Sequence, residues 1–190
     1  MRLAFHNLPN YLSLSRIPIA ATFLVLFDDR DITRFGCSLG LLALAALTDF
    51  LDGRLARAFR LSSRTGYFID GLGDKAVYIA ILLVIYREDA NQYILPWLLI
   101  LREIVLYALR VIEPVSSDTL RELRKLSLAY ALLIRLYFVG FFLAAALKIF
   151  RTEVHFVGKW YIVIGLIAAI TGYAHLYIQF KQMGKLPCTR

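Results

Sequence analysis

The chain has 190 residues, of which 59% are hydrophobic, and its mean hydropathy is +0.64. A soluble domain carries apolar residues at about half its positions, so a soluble globular protein is excluded. The net charge of +8 would suit nucleic acid, but the cations stand at the edges of apolar runs, where anionic lipid headgroups are the nearer partner; no nucleic-acid partner is expected.

In chain order, residues 1–10 set Leu3, Phe5 and Leu8 among Arg2 and His6, which suits either a short interfacial helix or a frayed terminus. Pro9-Asn10 marks the start of the first membrane segment, since proline fits a first helical turn. Six apolar runs follow: Tyr11–Phe27, Arg34–Phe50, Tyr67–Tyr86, Tyr93–Ile112, Leu126–Phe150 and Tyr161–Phe180. Each is near the ~20 residues a helix needs to cross a hydrocarbon core. None alternates with period two, so helices rather than a barrel satisfy the backbone in lipid. The expected fold is all-α: a single-domain polytopic membrane protein over residues 1–190 with six transmembrane helices, plus a short interfacial helix as one option for the N-terminus.

Arg16 interrupts the first run and no small-x-small site follows, so that run reads as a span rather than a cleaved leader. Gly36-Cys37-Ser38-Leu39-Gly40 is a small-xxx-small pattern of the kind that brings helices close. Cys37 and Cys188 offer neither a disulfide framework nor metal spacing, and Cys188 does not stand in a prenylation box. Basic breaks hold Arg54, Arg57, Arg60 and Arg64, then Arg121, Arg124 and Lys125, then Lys181, Lys185 and Arg190; Arg2 and Arg16 lie near the start. The breaks at Asp28–Arg34 and Arg87–Asp89 are acidic. By the positive-inside rule both termini and the even-numbered loops are cytoplasmic, with Lys148, Arg151 and Lys159 running against the trend.

The stretch from Asp49 to Asp74, DFLDGRLARAFRLSSRTGYFIDGLGD, carries the chemistry. At about 100° per residue, Asp49 and Asp52 lie within about 60° on one helix face, and Asp70 and Asp74 within about 40° on another. A short basic connection makes the two helices antiparallel neighbours, so all four carboxylates converge. Each unpaired aspartate near the bilayer centre costs roughly 2.5–3.5 kcal/mol, and mutual repulsion adds to this. Divalent cations offset that charge. An oxygen-only donor set favours a hard ion, Mg²⁺ or Mn²⁺, and two such ions can clamp a phosphoryl group. Gly53 and Gly66 allow close approach of a ligand, and Arg57 offers a planar fork to a diphosphate. Against this, the arginines are also expected as topology signals, and helix-end solvation or pairing with arginine would account for Asp49 and Asp52 more readily than for Asp70 and Asp74.

The block Asp49-x2-Asp52-Gly53-x2-Ala56-Arg57-x8-Gly66-x3-Asp70-x3-Asp74 resembles the complete signature of the CDP-alcohol phosphotransferase family. The resemblance implies transfer of a phosphatidyl group from CDP-diacylglycerol to a small alcohol or alcohol phosphate, with release of CMP, in a homodimeric membrane enzyme of phospholipid biosynthesis. It implies two ions, Mg²⁺ or Mn²⁺, held by Asp49, Asp52 and Asp70 with a contribution from Asp74. Asp74 would also be the general base on the acceptor hydroxyl. Gly53, Ala56, Arg57 and Gly66 would line the CDP pocket.

Within the family, the opening segment from Asn7 to Arg16 is similar to that of phosphatidylglycerophosphate synthases, with Ser13 where threonine is usual. Asp74-Lys75 and Arg102-Glu103 followed by Arg110 fit that group too. Two positions depart from it: Gly71 replaces a usual proline, and LRELRKL at 120–126 replaces a Gly-Lys-x-Lys-Thr segment. Glycerol 3-phosphate as acceptor needs cationic partners, for which Arg102, Arg110, Arg121, Arg124, Lys125 and Arg135 are candidates. Arg102 and Arg135 could instead pair with Glu103 or a motif carboxylate. His175 reads as structural, and Trp97 and Trp160 as interfacial anchors.

Alternatives are the same transfer to inositol phosphate, phosphatidylglycerol, serine or another polyol; an intramembrane prenyltransferase; and a cation transporter. The prenyltransferases carry two aspartate motifs far apart, and a transporter gives no reason for the Gly53, Ala56-Arg57 and Gly66 spacing. The expected location is the bacterial cytoplasmic membrane with the active site on the cytoplasmic side, or the mitochondrial inner membrane.

Overall fold

The computed structural model describes residues 8–59, 64–89, 92–112, 117–150 and 155–183. These form six helices: α1 (Leu8–Leu26), α2 (Ile32–Phe59), α3 (Arg64–Glu88), α4 (Ile94–Ile112), α5 (Ser117–Ile149) and α6 (His155–Met183). No strand occurs among the described residues, as the patterning requires. The suggested interfacial helix over 1–10 falls mostly outside them, although Pro9 does stand in the first turn of α1.

Each apolar run lies on a helix, but several helices outlast their runs. α2 continues from Phe50 to Phe59 and α5 begins at Ser117, well before Leu126. Hydropathy marks where lipid ends, whereas the backbone ladder continues while good helix formers such as Leu, Ala and Arg follow. The 33 residues of α5 span about 50 Å at 1.5 Å per residue, more than the ~30 Å hydrocarbon core. The acidic break after α1 is a capping element. Asp31 Oδ1 accepts the Thr33 amide at 2.8 Å and the Arg34 amide at 3.3 Å, satisfying two first-turn donors that the helix cannot.

The chain divides into two compact units, Met1–Val84 and Ile85–Arg190, with the boundary inside α3. In the first, α1 packs on α2, and Phe23, Phe27, Phe35, Ser38 and Ala45 are buried. In the second, α6 packs on both α5 and α4. The buried stripe of α5, Tyr130, Ile134, Tyr137, Phe141 and Ala145, follows the three- and four-residue spacing of one helix face. A polar knot lies in this unit. Tyr161 Oη donates to Asp89 Oδ2 at 2.5 Å, Gln92 Nε2 to Tyr161 Oη at 2.6 Å, and Tyr137 Oη to Gln92 Oε1 at 3.0 Å.

The outward faces are apolar: Val25 is 81% exposed and Ile170 71%, with Leu128, Leu132 and Val139 exposed along α5. Such surfaces are untenable in water and belong in lipid. Ile32–Arg54, Leu123–Ile149 and Trp160–Lys181 are long and apolar enough to cross a membrane, and Tyr11–Leu26 is a shorter apolar helix. The protein is an integral membrane protein. Among the described residues the glycine pair on α2 mediates no close packing, because a Cβ at Gly36 or Gly40 would meet nothing within 4 Å.

Candidate active site

The four aspartates do converge, and α1 supplies what joins them. Asp49 and Asp52 come from α2, Asp70 and Asp74 from α3, and Ser13 and Arg16 from α1. Ser13 and Arg16 are three residues apart and therefore share a helix face. The Arg16 guanidinium reaches all four carboxylates. Its Nη1 donates to Asp49 Oδ1 at 3.0 Å and to Asp74 Oδ1; its Nη2 donates to Asp70 Oδ1 at 2.7 Å and to Asp52 Oδ2. Ser13 Oγ donates to Asp52 Oδ2 at 2.8 Å and accepts from Arg16 Nη2 at 3.3 Å.

Exposure divides the cluster into a floor and a rim. The Arg16 side chain is 1% exposed and that of Asp52 5%, whereas Asp49, Asp70 and Asp74 are 55%, 47% and 54% exposed. A ligand therefore meets the rim carboxylates while Asp52 is held from beneath. Gly73 makes this arrangement possible. A Cβ there would collide with the backbone carbonyl of Ser13 and stand 3.5 Å from Arg16 Nε, so only glycine lets α1 approach α3 this closely.

The rim fits a hard divalent ion. One oxygen from each of Asp49, Asp70 and Asp74 lies within 4.8 Å of the others. Oxygens sharing one Mg²⁺ at about 2.1 Å lie at most ~4.2 Å apart, so small side-chain adjustments suffice. No nitrogen or sulfur donor joins them among the described residues, in keeping with the preference of hard ions for oxygen.

Other expected site residues are placed unevenly. Gly53 follows Asp52 on α2 and is half-buried, and Arg54 lies over the Phe50 ring at 5.1 Å. Ala56 and Arg57 lie on α2 and Gly66 on α3, but their surroundings fall outside the described residues, as do those of Arg110 and Arg121. Arg102 is buried in the second unit, paired with Glu103, stacked 3.6 Å from the Tyr130 ring centroid and donating from Nε to the Gly172 carbonyl at 3.4 Å. This is the pairing with Glu103 that the sequence offered as the alternative to acceptor binding. Arg124, Lys125 and Arg135 are exposed on α5.

The sequence alone gives Ser13 and Arg16 no site role. The signal was present, since an arginine within an apolar run must find a counter-charge and the acidic block offered one.

A CDP-alcohol phosphatidyltransferase family model matches residues 6–171. The chain belongs to that family, whose members generally depend on a divalent metal. Among curated relatives, the chain is 34% identical to the CDP-diacylglycerol--glycerol-3-phosphate 3-phosphatidyltransferase of Rickettsia typhi over 105 residues, covering 55% of this chain and 58% of the relative. The enzyme of the same name from Pseudomonas fluorescens is 35% identical over 106 residues, covering 55% and 54%. That from Salmonella typhimurium is 36% identical over 110 residues, covering 55% and 58%. The matched stretch thus spans little more than half the length of these relatives.

Proposed function

We propose that this protein transfers a phosphatidyl group from CDP-diacylglycerol to glycerol 3-phosphate, yielding phosphatidylglycerophosphate and CMP. The observation that carries the reading is the convergence of Asp49, Asp52, Asp70 and Asp74 around one point, with three of them exposed to a ligand, in a chain that the family model matches. The relatives from Rickettsia typhi and Pseudomonas fluorescens are named for glycerol 3-phosphate, which supports that acceptor.

The chain's own residues have distinct tasks in this reading. Asp49, Asp70 and Asp74 form the rim that would hold divalent metal, in this reading two ions of Mg²⁺ or Mn²⁺, and Asp52 would complete the set. When bound, such ions take up charge on the transferring phosphoryl. Gly53, Ala56, Arg57 and Gly66 line the cytidine diphosphate site, the small residues by close approach and Arg57 by its fork of donors. Asp74 accepts the proton of the acceptor hydroxyl. The acceptor oxygen then bonds to the phosphorus that bears the lipid, the bond from that phosphorus to the bridging oxygen breaks, and CMP leaves with the electron pair. Candidate partners for the acceptor phosphate are Arg102, Arg110, Arg121, Arg124, Lys125 and Arg135. The buried pairing of Arg102 with Glu103 favours a scaffolding task for that residue.

Gly71 and the LRELRKL segment favour a second reading, the same transfer to another polyol or polyol phosphate. The wider proposal comprises one domain with six spans, both termini and the aspartate cluster on the cytoplasmic side, and a homodimer in a bacterial cytoplasmic membrane. CMP release by purified protein in detergent, with CDP-diacylglycerol, Mg²⁺ and a panel of acceptors, tests the chemistry. Glycerol 3-phosphate should give the highest rate, and Asp74→Asn should lower it by about 10²–10⁴-fold. No CMP from folded protein with any acceptor would overturn the assignment; a preference for another alcohol would overturn only the acceptor.

A further inference from the structure

Four carboxylates surround one guanidinium, and three of them, Asp49, Asp70 and Asp74, are the residues that could hold a hard cation. Arg16 Nη1 holds Asp49 and Asp74, which are two of the three rim residues, and Nη2 holds Asp70, the third. The guanidinium is fixed from below as well. Ser13 Oγ lies 3.3 Å from Nη2, Asp52 is buried against it, and Gly73 leaves no side chain between α1 and α3. Among the described residues, Arg16 is the largest fully buried side chain and its Nε has no hydrogen-bond partner. Burying that group unpaired is costly, and the demand of four carboxylates for a positive charge offsets the cost.

We propose that Arg16 is a tethered cation that competes with divalent metal for the rim carboxylates and so sets the metal affinity of the site. The proposal rests on the reading of the rim as a metal site, and it assigns Arg16 as a positioning residue rather than a catalytic one. Without a divalent ion, Arg16 keeps Asp49, Asp70 and Asp74 gathered against their mutual repulsion. When an ion binds, the guanidinium must yield part of its hold on those carboxylates while Ser13 and Asp52 retain it at the floor. A positive charge a few ångströms from a bound dication opposes it, so this arrangement weakens metal binding and stabilises the protein when the ion is scarce. An ordinary structural ion pair predicts the reverse for metal. Removing it would disorder the carboxylates and loosen the ion.

The test is Mn²⁺ binding to the full chain in detergent, read by electron paramagnetic resonance, together with melting temperatures in chelator and in saturating Mn²⁺. Three proteins are compared: the parent, Arg16→Gln, which removes the charge, and Arg16→Lys, which keeps it but loses the fork that spans both pairs. Arg16→Gln should bind Mn²⁺ at least about tenfold more tightly, melt lower than the parent in chelator, and regain most of that loss in Mn²⁺. Arg16→Lys should fall between the two on both readouts, and it carries the test alone if the glutamine variant does not fold. Mn²⁺ binding as weak as the parent's, or weaker, in the folded variants overturns the competition while leaving the metal site intact. A parent that binds no Mn²⁺ overturns the metal reading and the competition together.

Discussion

Ser13 shows how much one hydroxyl can carry. It donates to the buried Asp52 at 2.8 Å, and a hydrogen bond to a charged group contributes roughly 1.5–3 kcal/mol. Ser13→Ala is therefore expected to destabilise the protein by about 2 kcal/mol, read as a lower melting temperature in detergent, whereas Ser13→Thr keeps the donor and should retain most of it. The glycines permit a sharper contrast. Gly73→Ala drives a methyl group into the Ser13 carbonyl, and such overpacking costs typically 1–3 kcal/mol. Gly40→Ala meets open space and should be neutral or stabilising by a few tenths of a kcal/mol up to about 1. If both alanine variants melt alike, the close approach of α1 to α3 is wrong. At this scale the sequence was readable where residue types announce their chemistry. The aspartates stood out by spacing and by the cost of carboxylates in lipid, but Gly73 could not be told from Gly71 or Gly53 without knowing which neighbour passes by. Arg16 interrupts an apolar run without revealing its counter-charge, because its partners lie 33 to 58 residues away along the chain, a separation that local periodicity does not report.

Among the elements, the second unit contains two polar assemblies that hydropathy alone does not foretell. The knot of Asp89, Gln92, Tyr137 and Tyr161 ties the connection between α3 and α4 to α5 and α6. Tyr161→Phe deletes the hydroxyl that Asp89 and Gln92 share, and the loss of those two hydrogen bonds should cost about 1–3 kcal/mol without changing the relative rates with different acceptors. Arg102 is the second case. Its Glu103 partner is equally buried, and breaking a buried pair by removing one member costs about 3–5 kcal/mol. Arg102→Ala should thus lower the melting temperature strongly; a stable variant with only a raised KM for glycerol 3-phosphate would instead favour acceptor binding. Element existence was legible because each apolar run is long and aperiodic at two. Element ends were not, since α2 and α5 continue as helix beyond their apolar runs into sequence that a hydropathy reading treats as connection.

For the molecule as a whole, the apolar outward faces establish the membrane, and the charge pattern supplies an expectation for sidedness. An impermeant thiol reagent checks it in a Cys37→Ala background. Cys188 should react only after permeabilisation, whereas a cysteine placed by Arg30→Cys should react on intact cells; the opposite pattern would invert the topology. The ion-pair geometry also bears on the order in which the protein is made. α1 leaves the ribosome before α2 and α3, carrying an arginine whose four partners have not yet been synthesised. An arginine and four aspartates are each unwelcome in hydrocarbon alone, and together they largely satisfy one another. α1 would therefore settle to its final depth only once α2 and α3 have arrived, making the first three helices a single unit of assembly rather than three successive insertions.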